Sequence, residues 1–400
     1  MLQGTKILVG VTGSIAAYKT AYLIRLLVQA GAEVRVVMTK GALEFVTPLT
    51  FSTLSKNPVH SDFTENPDAG TWTNHVDLAL WADLMVFAPL SASTLAKMSN
   101  GLSDNFLMAV YMSAKCPVMV APAMDREMYL HPGTQANLAR LREFGHRMVE
   151  PGDGELASGL SGKGRMAEPE EIFKAVVAEI HPDMPLRGKR VLVTAGPTHE
   201  KIDAVRFIGN YSSGKMGFAI AEALATLGAD VDLISGPVNL SVRNPMIRRR
   251  NVVSAREMAE ACEQLWPACH AAVLCAAVAD FRPAVEAEGK IKKDKGFDRI
   301  DLVENPDIAR NLGSNKRTGQ VLVGFALETN DEEQNAQKKL DKKNLDMIVL
   351  NSLRDEGAGF GGDTNKITLI WPDNKRRSIG LRPKTEIAAE IAAELVILMK

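Results

Sequence analysis

Cysteine is scarce in this chain of 400 residues, with Cys116, Cys262, Cys269 and Cys275 alone and none in C-x-x-C spacing. Four such residues are too few for a disulfide scaffold, and they predict a reduced protein whose cysteines mostly fill cores. A surplus of either charge is also missing: 47 Lys and Arg face 48 Asp and Glu, for a formal net charge of −1. That balance argues against a general nucleic-acid binder, which draws on a large positive surplus. No apolar run approaches the length of a membrane span. The opening "MLQGTKILVGVTG" runs straight into a strand-like pattern, without the basic stretch, long apolar region and small-residue cleavage site of a secretory leader. The expectation is a cytoplasmic protein that works on small molecules, with neither nucleic acid nor membrane as partner.

What is present is the balance of a globular protein, 46% hydrophobic and 24% charged, in a length that suits two domains of about 200 residues each. "KILVGVTG" is a buried-strand run ending in glycine. "SIAAYKTAYLIRLLVQAGA" follows with helical spacing and Gly31 as its stop, and "EVRVVMT" is a second strand. Residues 189 to 236 repeat the plan with "KRVLVTAG", an inserted loop, "KMGFAIAEALATLGA" stopping at Gly228, and "DVDLIS". Further strands follow each opening: "LMVFAP" and "CPVMVAP", then "AAVLCAAVAD", "QVLVGFAL" and "LDMIVLN". Alternating strands and helices predict an α/β fold of two doubly wound, Rossmann-like domains with ligands at the carboxyl ends of the strands. "EIHPDMPLRGKR" places the boundary near residues 182 to 189, giving domains 1–188 and 189–400. "NKITLIWPDNKRRSIGL" predicts an antiparallel hairpin added to the second sheet.

"GNYSSGKMG", Gly209 to Gly217, fills the first seven places of the phosphate-loop pattern but has Met216 where that motif needs a hydroxyl for magnesium. The fourteen residues "PTHEKIDAVRFIGN" also separate "VLVTAG" from "YSSGK", which argues against the ATPase-type fold. Ser212, Ser213, Gly214 and the first amides of the next helix still offer an anion donors and a positive dipole end. From this stretch alone, an anion site and a merely capped helix stay equally open. Further along, "AAVADF" is read as a buried strand ending in Asp280, and "KIKKDK" gathers Lys290, Lys292, Lys293 and Lys295. "NPDIA" opens a helix at Asn305 to Ile308, and Lys339 and Lys343 lie four apart, one helical face. Separately, such lysines are ordinary surface; together with Asp280 they look like a nucleotide triphosphate site.

"AGPT", "RFIGNYSSGKMG", "AAVADFRP", "KIKK", "NPDI", "GFALET" and "KKLDKKNLDMI" resemble the phosphopantothenate–cysteine ligase half of the bifunctional coenzyme A biosynthesis proteins, over nearly all of residues 189 to 400. The resemblance implies that CTP activates the carboxylate of phosphopantothenate as an acyl-cytidylate, which the amine of cysteine then attacks. It implies that Asn210 holds the acyl-cytidylate, as an amide donor aimed at a developing carbonyl charge, and that Lys290 completes the site from a mobile loop. It assigns Ala276, Asp280, Asn305, Pro306, Asp307, Ile308, Phe325, Lys339 and Lys343 to the nucleotide. Magnesium is implied by the triphosphate chemistry, with ligands the sequence leaves unknown.

In the first half, "GVTGSIA" is a strand, a glycine turn and a helix start. It suits a mononucleotide phosphate and is no G-x-G-x-x-G fingerprint. FMN fits better than NAD, with Gly13, Ser14, Thr39, Ser91 and Ser93 as contacts. "VTGSIAAYK", "NHVDLALWAD", "APLSASTLAKMSNGLSDN", "APAMDREMY" and "GKGRM" resemble the flavin-dependent cysteine decarboxylases, here the phosphopantothenoylcysteine decarboxylase half, over about residues 4 to 180. A lone histidine is usually surface or satisfied core, but His75 coincides with that family's catalytic histidine. The resemblance implies oxidation of the substrate's cysteinyl thiol to a thioaldehyde, loss of carbon dioxide and reduction of the resulting enethiol.

Two positions depart from that family. Its P-A-M-N-x-x-M asparagine is Asp125 here, and an ionised carboxylate would repel the substrate's carboxylate unless one of the two carries a proton. The proton-donating cysteine of its flap is Ser158; a thiol titrates near about 8.5, whereas a serine hydroxyl does not ordinarily titrate. Retained activity, with Asp125 compensating, is the expectation, because His75, "GKGRM" and the flavin motifs persist. The alternative is a ligase whose first domain is an inactive, FMN-binding or assembly domain. A phosphatase-inhibiting binding protein and a nicotinamide oxidoreductase are disfavoured by Asn210 and the lysines and by the missing dinucleotide fingerprint. The resemblance further implies a homo-oligomer, with trimer contacts through the first domain and dimer contacts through the second, hence a dodecamer, in which "TPLTFSTLS" completes a neighbour's pocket.

Overall fold

Near-continuous apolar runs form the strands of two parallel sheets, as expected where helices cover both faces. The structure, a computed structural model, describes residues 2–66, 71–292, 299–328, 331–352 and 361–400. The chain divides into two compact units, Met1–Pro182 and Asp183–Lys400.

In the first unit the strand Lys6–Val11 is buried except at Lys6, and the helix Ala17–Gln29 buries Thr20, Leu23, Ile24 and Leu27 at three- and four-residue spacing. Gly31, at φ +95°, turns the chain into the strand Glu33–Met38. The six parallel strands lie in the order Val59–His60, Glu33–Met38, Lys6–Val11, Leu84–Leu90, Val118–Pro122, Arg147–Met148. Without the edge strand Val59–His60, the remaining five run 2-1-3-4-5, the flavodoxin arrangement. The order therefore reverses between Lys6–Val11 and Leu84–Leu90. Leu8, Phe87, Leu107, Val120 and Leu141 pack in one core. An antiparallel hairpin, Gly152–Glu155 with Ser161–Arg165, stands apart from this sheet.

The second unit has eight strands, in the order Ile247–Asn251, Asp230–Ser235, Arg190–Ala195, Ala271–Leu274, Val321–Glu328, Met347–Ser352, Thr364–Ile370, Arg376–Pro383. The first six are parallel and the last two are the expected antiparallel hairpin. Its switch point lies between Arg190–Ala195 and Ala271–Leu274. Leu192, Ile234, Leu322, Ile348 and Ile370 share a core, where the Trp266 indole donates to the Leu312 carbonyl at 3.1 Å. Both outer strands are rich in arginine, Arg248 to Arg250 on one side and Arg376, Arg377 and Arg382 on the other.

Three local expectations change. The inserted loop after "VLVTAG" contains a short hairpin, His199–Lys201 with Phe207–Gly209, which returns the chain to the strand end it left. The strand expected to run to Asp280 stops at Leu274, because the next residues bond to the loop beside them: Ala277 N donates to Gly196 O at 2.9 Å and Ala279 N to Thr198 Oγ1 at 3.0 Å. The helix expected from Asn305 begins at Ile308, with Asp307 as its cap.

Candidate active sites

At the first switch point, buried Thr12 follows its strand and braces the neighbour: its hydroxyl donates to Pro89 O and accepts from Ser91 N, both at 2.8 Å. Gly13 lies so close to the loop after the second strand that a Cβ there would stand 3.1 Å from the carbonyl carbon of Gly41. Glycine is thus required by close approach rather than by an unusual φ. Ser14 accepts from Ala16 N, Thr39 precedes a short helical turn, and Ser91 caps the helix Ala92–Asn100, with exposed Ser93 in its first turn. The structure therefore gathers all five expected flavin contacts at the carboxyl ends of three adjacent strands. Hydroxyls beside a helix start are a donor set that fits a mononucleotide phosphate.

His75 opens the helix Val76 continues, capped by Asn74, whose side chain accepts from Val76 N at 3.0 Å. That helix runs back into the strand Leu84–Leu90, so His75 sits at the carboxyl edge of the sheet. Phe63 meets its ring edge to face at 5.9 Å. Its Nδ1 is buried and has no hydrogen-bond partner among the described residues, the mark of a group awaiting one.

Asp125 caps the helix Arg126–Leu130, accepting from Arg126 N at 2.9 Å through Oδ1. The same oxygen accepts from the Ser158 hydroxyl at 3.0 Å. The two residues that depart from the family pattern are therefore hydrogen-bonded to each other. Their meeting is enforced by the hairpin that carries Ser158, which is strapped to the segment before Asp125 by Met124 N donating to Gly164 O at 3.0 Å. Gly164 adopts φ +140°, and a Cβ there would fall 2.4 Å from the Met124 carbonyl oxygen. Beyond the hairpin, buried Lys19 donates to Met166 O and to Glu168 at 2.8 Å, and this bond holds the Glu168 carboxyl below its ordinary range.

At the second switch point a cavity of about 720 Å³ opens. Its wall contains Asn210, Ala276, Asp280, Asn305, Pro306, Asp307, Ile308, Phe325, Lys339 and Lys343. Of the described positions expected there, Lys290 and Lys292 are outside the wall. Both lie on a loop held at Ile291, whose N–H donates to buried Asp203. Lys293 and Lys295 lie outside the described residues. The hydrogen bonds from Arg206, joined by backbone donors, keep the Asp203 carboxyl far below the usual range. Thr194 repeats the brace of Thr12, its hydroxyl accepting from Ala276 N at 3.2 Å.

Asn210 Nδ2 donates to the carbonyls of Ala277 and Val278 at 3.1 and 3.2 Å, so its two amide hydrogens serve the strand-end loop. Asn305 Nδ2 likewise donates to Ala279 O. Burial pulls the Asp307 carboxyl upward, but the Lys343 ammonium at 2.9 Å and the Arg310 amide hold it below its ordinary value. Met216, in place of a hydroxyl, is buried against Asn365. Gly217 allows the helix Lys215–Thr226 to rest on its strand, since a Cβ there would meet that of Ala195 at 2.5 Å. Among the described residues, no group of three His, Cys, Asp or Glu side chains is placed to hold a metal. Burial pushes the Cys262 and Cys275 thiols up to about 12, which suits structural rather than reactive sulfur.

The sequence reading missed Thr12 and Thr194, and also Lys215, Asn351, Asn365 and Lys384 in the cavity wall. Pro383 signals the start of the helix Lys384–Leu398, but nothing local marks Lys384 as a cavity residue.

Residues 1–181 match the family profile described as Flavoprotein, and residues 186–398 match the DNA/pantothenate metabolism flavoprotein C-terminal domain. A cysteine/cysteine sulfinic acid decarboxylase from an unknown prokaryotic organism is 52% identical, over 88% of this chain and 99% of its own length. The coenzyme A biosynthesis bifunctional protein CoaBC of Bacillus subtilis strain 168 is 45% identical, over 100% of this chain and 98% of its own. Its namesake from Escherichia coli K12 is 42% identical, over 94% and 93%.

Proposed function

The chain belongs to the family of bifunctional coenzyme A biosynthesis proteins, and from that premise we propose that its second unit condenses 4'-phosphopantothenate with L-cysteine using CTP. Its first unit then decarboxylates the product to 4'-phosphopantetheine. The observation that carries this reading is the convergence of Asn210, Asp280, Asn305 to Ile308, Phe325, Lys339 and Lys343 on one cavity.

In the ligase reaction the substrate carboxylate attacks the α-phosphorus of CTP and pyrophosphate leaves. The cysteine amine then displaces CMP from the acyl-cytidylate and loses a proton as the amide forms. Lys339 and Lys343 hold nucleotide charge, and Lys290 completes the site from its neighbouring loop. Asn210, through its grip on the loop that carries Asp280, orients the acyl group; release of one of those two bonds frees an amide hydrogen for the developing oxyanion. Magnesium characteristically takes one or two carboxylates plus phosphate oxygens. Asp280 and Glu304 are the wall carboxylates offered for it, since Asp307 is engaged by Lys343.

In the first unit, FMN supplies a two-electron oxidation of the thiol and the later return of those electrons. Gly13, Ser14, Thr39, Ser91 and Ser93 bind and orient it. His75, whose Nδ1 has no partner among the described residues, holds a proton at the substrate's reacting end. Asp125 Oδ2 takes up a proton and so meets the substrate's carboxylate without repulsion, while Ser158 fixes Oδ1.

The alternative, a ligase with an inactive first unit, predicts that phosphopantothenoylcysteine accumulates. A second reading, supported by the 52% identical relative, has the first unit decarboxylate cysteine or its sulfinic acid. Mass spectrometry of protein, FMN, CTP, magnesium, phosphopantothenate and cysteine decides. Phosphopantetheine is expected, and CTP-free controls with cysteine or cysteine sulfinate test the second reading. Absence of any CTP-dependent product overturns the ligase assignment.

The family's trimers and dimers are proposed here too. Exposed Tyr18, Tyr22 and Leu49 in the first unit, and Val205, Phe207 and Tyr211, the last 92% exposed, in the second, are apolar surfaces suited to such contacts. In the described residues no helix is long and apolar enough to cross a membrane.

A further inference from the structure

The cavity wall of the second unit holds a second cationic group away from Lys339 and Lys343. Lys215 and Lys384 each occupy the first residue of a helix, Lys215–Thr226 and Lys384–Leu398. A lysine there opposes the helix dipole, whose positive end favours anions. Here two such helices pack side by side, and both lysines reach the same short segment: Lys215 donates to Gly361 O at 2.9 Å and Asp363 Oδ1 at 2.7 Å, and Lys384 to Gly362 O at 2.6 Å. Lys384 is only 8% exposed. Among the described residues, Asp363 is the one carboxylate bonded to the pair, and it is an exposed one. Burial and the neighbouring Lys215 together press the Lys384 ammonium to a lower pKa than usual. Burial, the two helix dipoles and the mutual repulsion of the lysines thus oppose this arrangement, against Asp363 and the carbonyls of Gly361 and Gly362.

Independent of the lysines, Asn351 lines the same cavity from the end of the strand beside Thr364–Ile370, and its buried Oδ1 has no partner among the described residues. A polar atom left this way in a cavity wall points to a ligand. Ser212, Ser213 and Gly214 flank Lys215 in that wall.

We propose that Lys215 and Lys384 form a phosphoryl seat in this cavity, distinct from the Lys339–Lys343 pair, which takes either the outer phosphates of the nucleotide or the phosphate of the phosphorylated acid. The inference rests on the ligase reading above. The sequence motif "SSGK" is then a phosphate-binding element after all, completed by a lysine 169 residues downstream rather than by a hydroxyl at position 216.

The test is calorimetric titration of the full-length protein and its Lys215→Met, Lys384→Met and doubly substituted variants with CTP, pyrophosphate, cytidine, 4'-phosphopantothenate and pantothenate. If the seat takes the nucleotide, the double variant binds CTP and pyrophosphate at least tenfold more weakly with cytidine unchanged. If it takes the acid, only phosphopantothenate weakens tenfold, with pantothenate unchanged. Affinities within twofold of wild type throughout overturn the proposal. So does a uniform loss that includes cytidine and pantothenate together with a lower melting temperature, since that is a structural role. Lys384→Arg retains binding if charge is the requirement, which keeps the test open should Lys384→Met fold poorly. A wild-type protein that neither binds CTP nor makes a CTP-dependent product sinks the ligase reading itself, a result separate from failure of the seat alone.

Discussion

The two sheets reverse direction at equivalent places and brace those places alike, yet they build different kinds of site there. Thr12 and Thr194 each tie the end of a first strand to the segment after a fourth. Beyond that brace, the second unit encloses its ligand groups in one cavity wall, whereas the first spreads them over loops, a helix start and a separate hairpin. A doubly wound sheet fixes where a ligand sits; the chemistry depends on what the connecting segments bring to that edge. In the first unit this dependence is acute, because Asp125 and Ser158 meet through the hairpin that is strapped at Gly164.

The sharpest way to break the comparison is His75→Asn. Decarboxylation should fall by about 10²- to 10⁴-fold, the usual range for a lost acid–base group, while CTP-dependent condensation, followed as pyrophosphate release, is unchanged. Equal losses in both reactions would mean that the units are not chemically separate. A smaller effect, about 10- to 100-fold, is expected for Asp125→Asn in the decarboxylation assay. The double-mutant cycle with Ser158→Ala should be non-additive, as befits groups in contact; strict additivity would show that the hydrogen bond has no part in the reaction.

The braces can be compared directly by thermal melting. Thr12→Val removes two buried hydrogen bonds and should destabilise the first unit by about 1–3 kcal/mol, against about 0.5–1.5 kcal/mol for the single bond lost in Thr194→Val. The reverse order would refute the view that the first switch point leans harder on its threonine. The smallest effect is on pH dependence. Asp203, Asp232 and Asp307, all in the second unit, have folded pKa values below their unfolded ones. Their stabilisation is complete above the unfolded value, about 4, and is lost as pH falls further through the folded values. Acidification should therefore lower the second melting transition, as it does the first through Glu168, and Asp203→Asn should make the second transition less sensitive to acid.

Much of this was legible in the sequence because the chain places ligand groups just after apolar strands, where periodicity breaks. Gly13 and Ser91 were expected on that ground, Asn305 from a helix opening and Phe325 from the resemblance alone, and the hairpin near the C-terminus was plain from its turn and alternation. What was hidden involves pairings across the chain. Nothing in "PAMDREM" or "ELASG" says that Asp125 and Ser158 share a hydrogen bond. The early stop of the strand at Leu274 follows from bonds to the loop around Gly196, and Lys384 contradicts the local preference for anions at a helix start. Propensity could not reveal any of these, since each is set by a distant partner.

The arginines on the outer strands of the second sheet bear on a different hazard. An open sheet offers unpaired N–H and C=O groups along both margins, a template on which another chain can add a strand. Arg248 is drawn to Asp230 and Asp232, Arg250 to Gln264, Arg376 to Glu333, and Arg377 to Glu390 and Glu394. Each margin is thereby lined with bulky charged groups held in place by partners on the unit itself. Runaway strand-on-strand growth is discouraged at both ends.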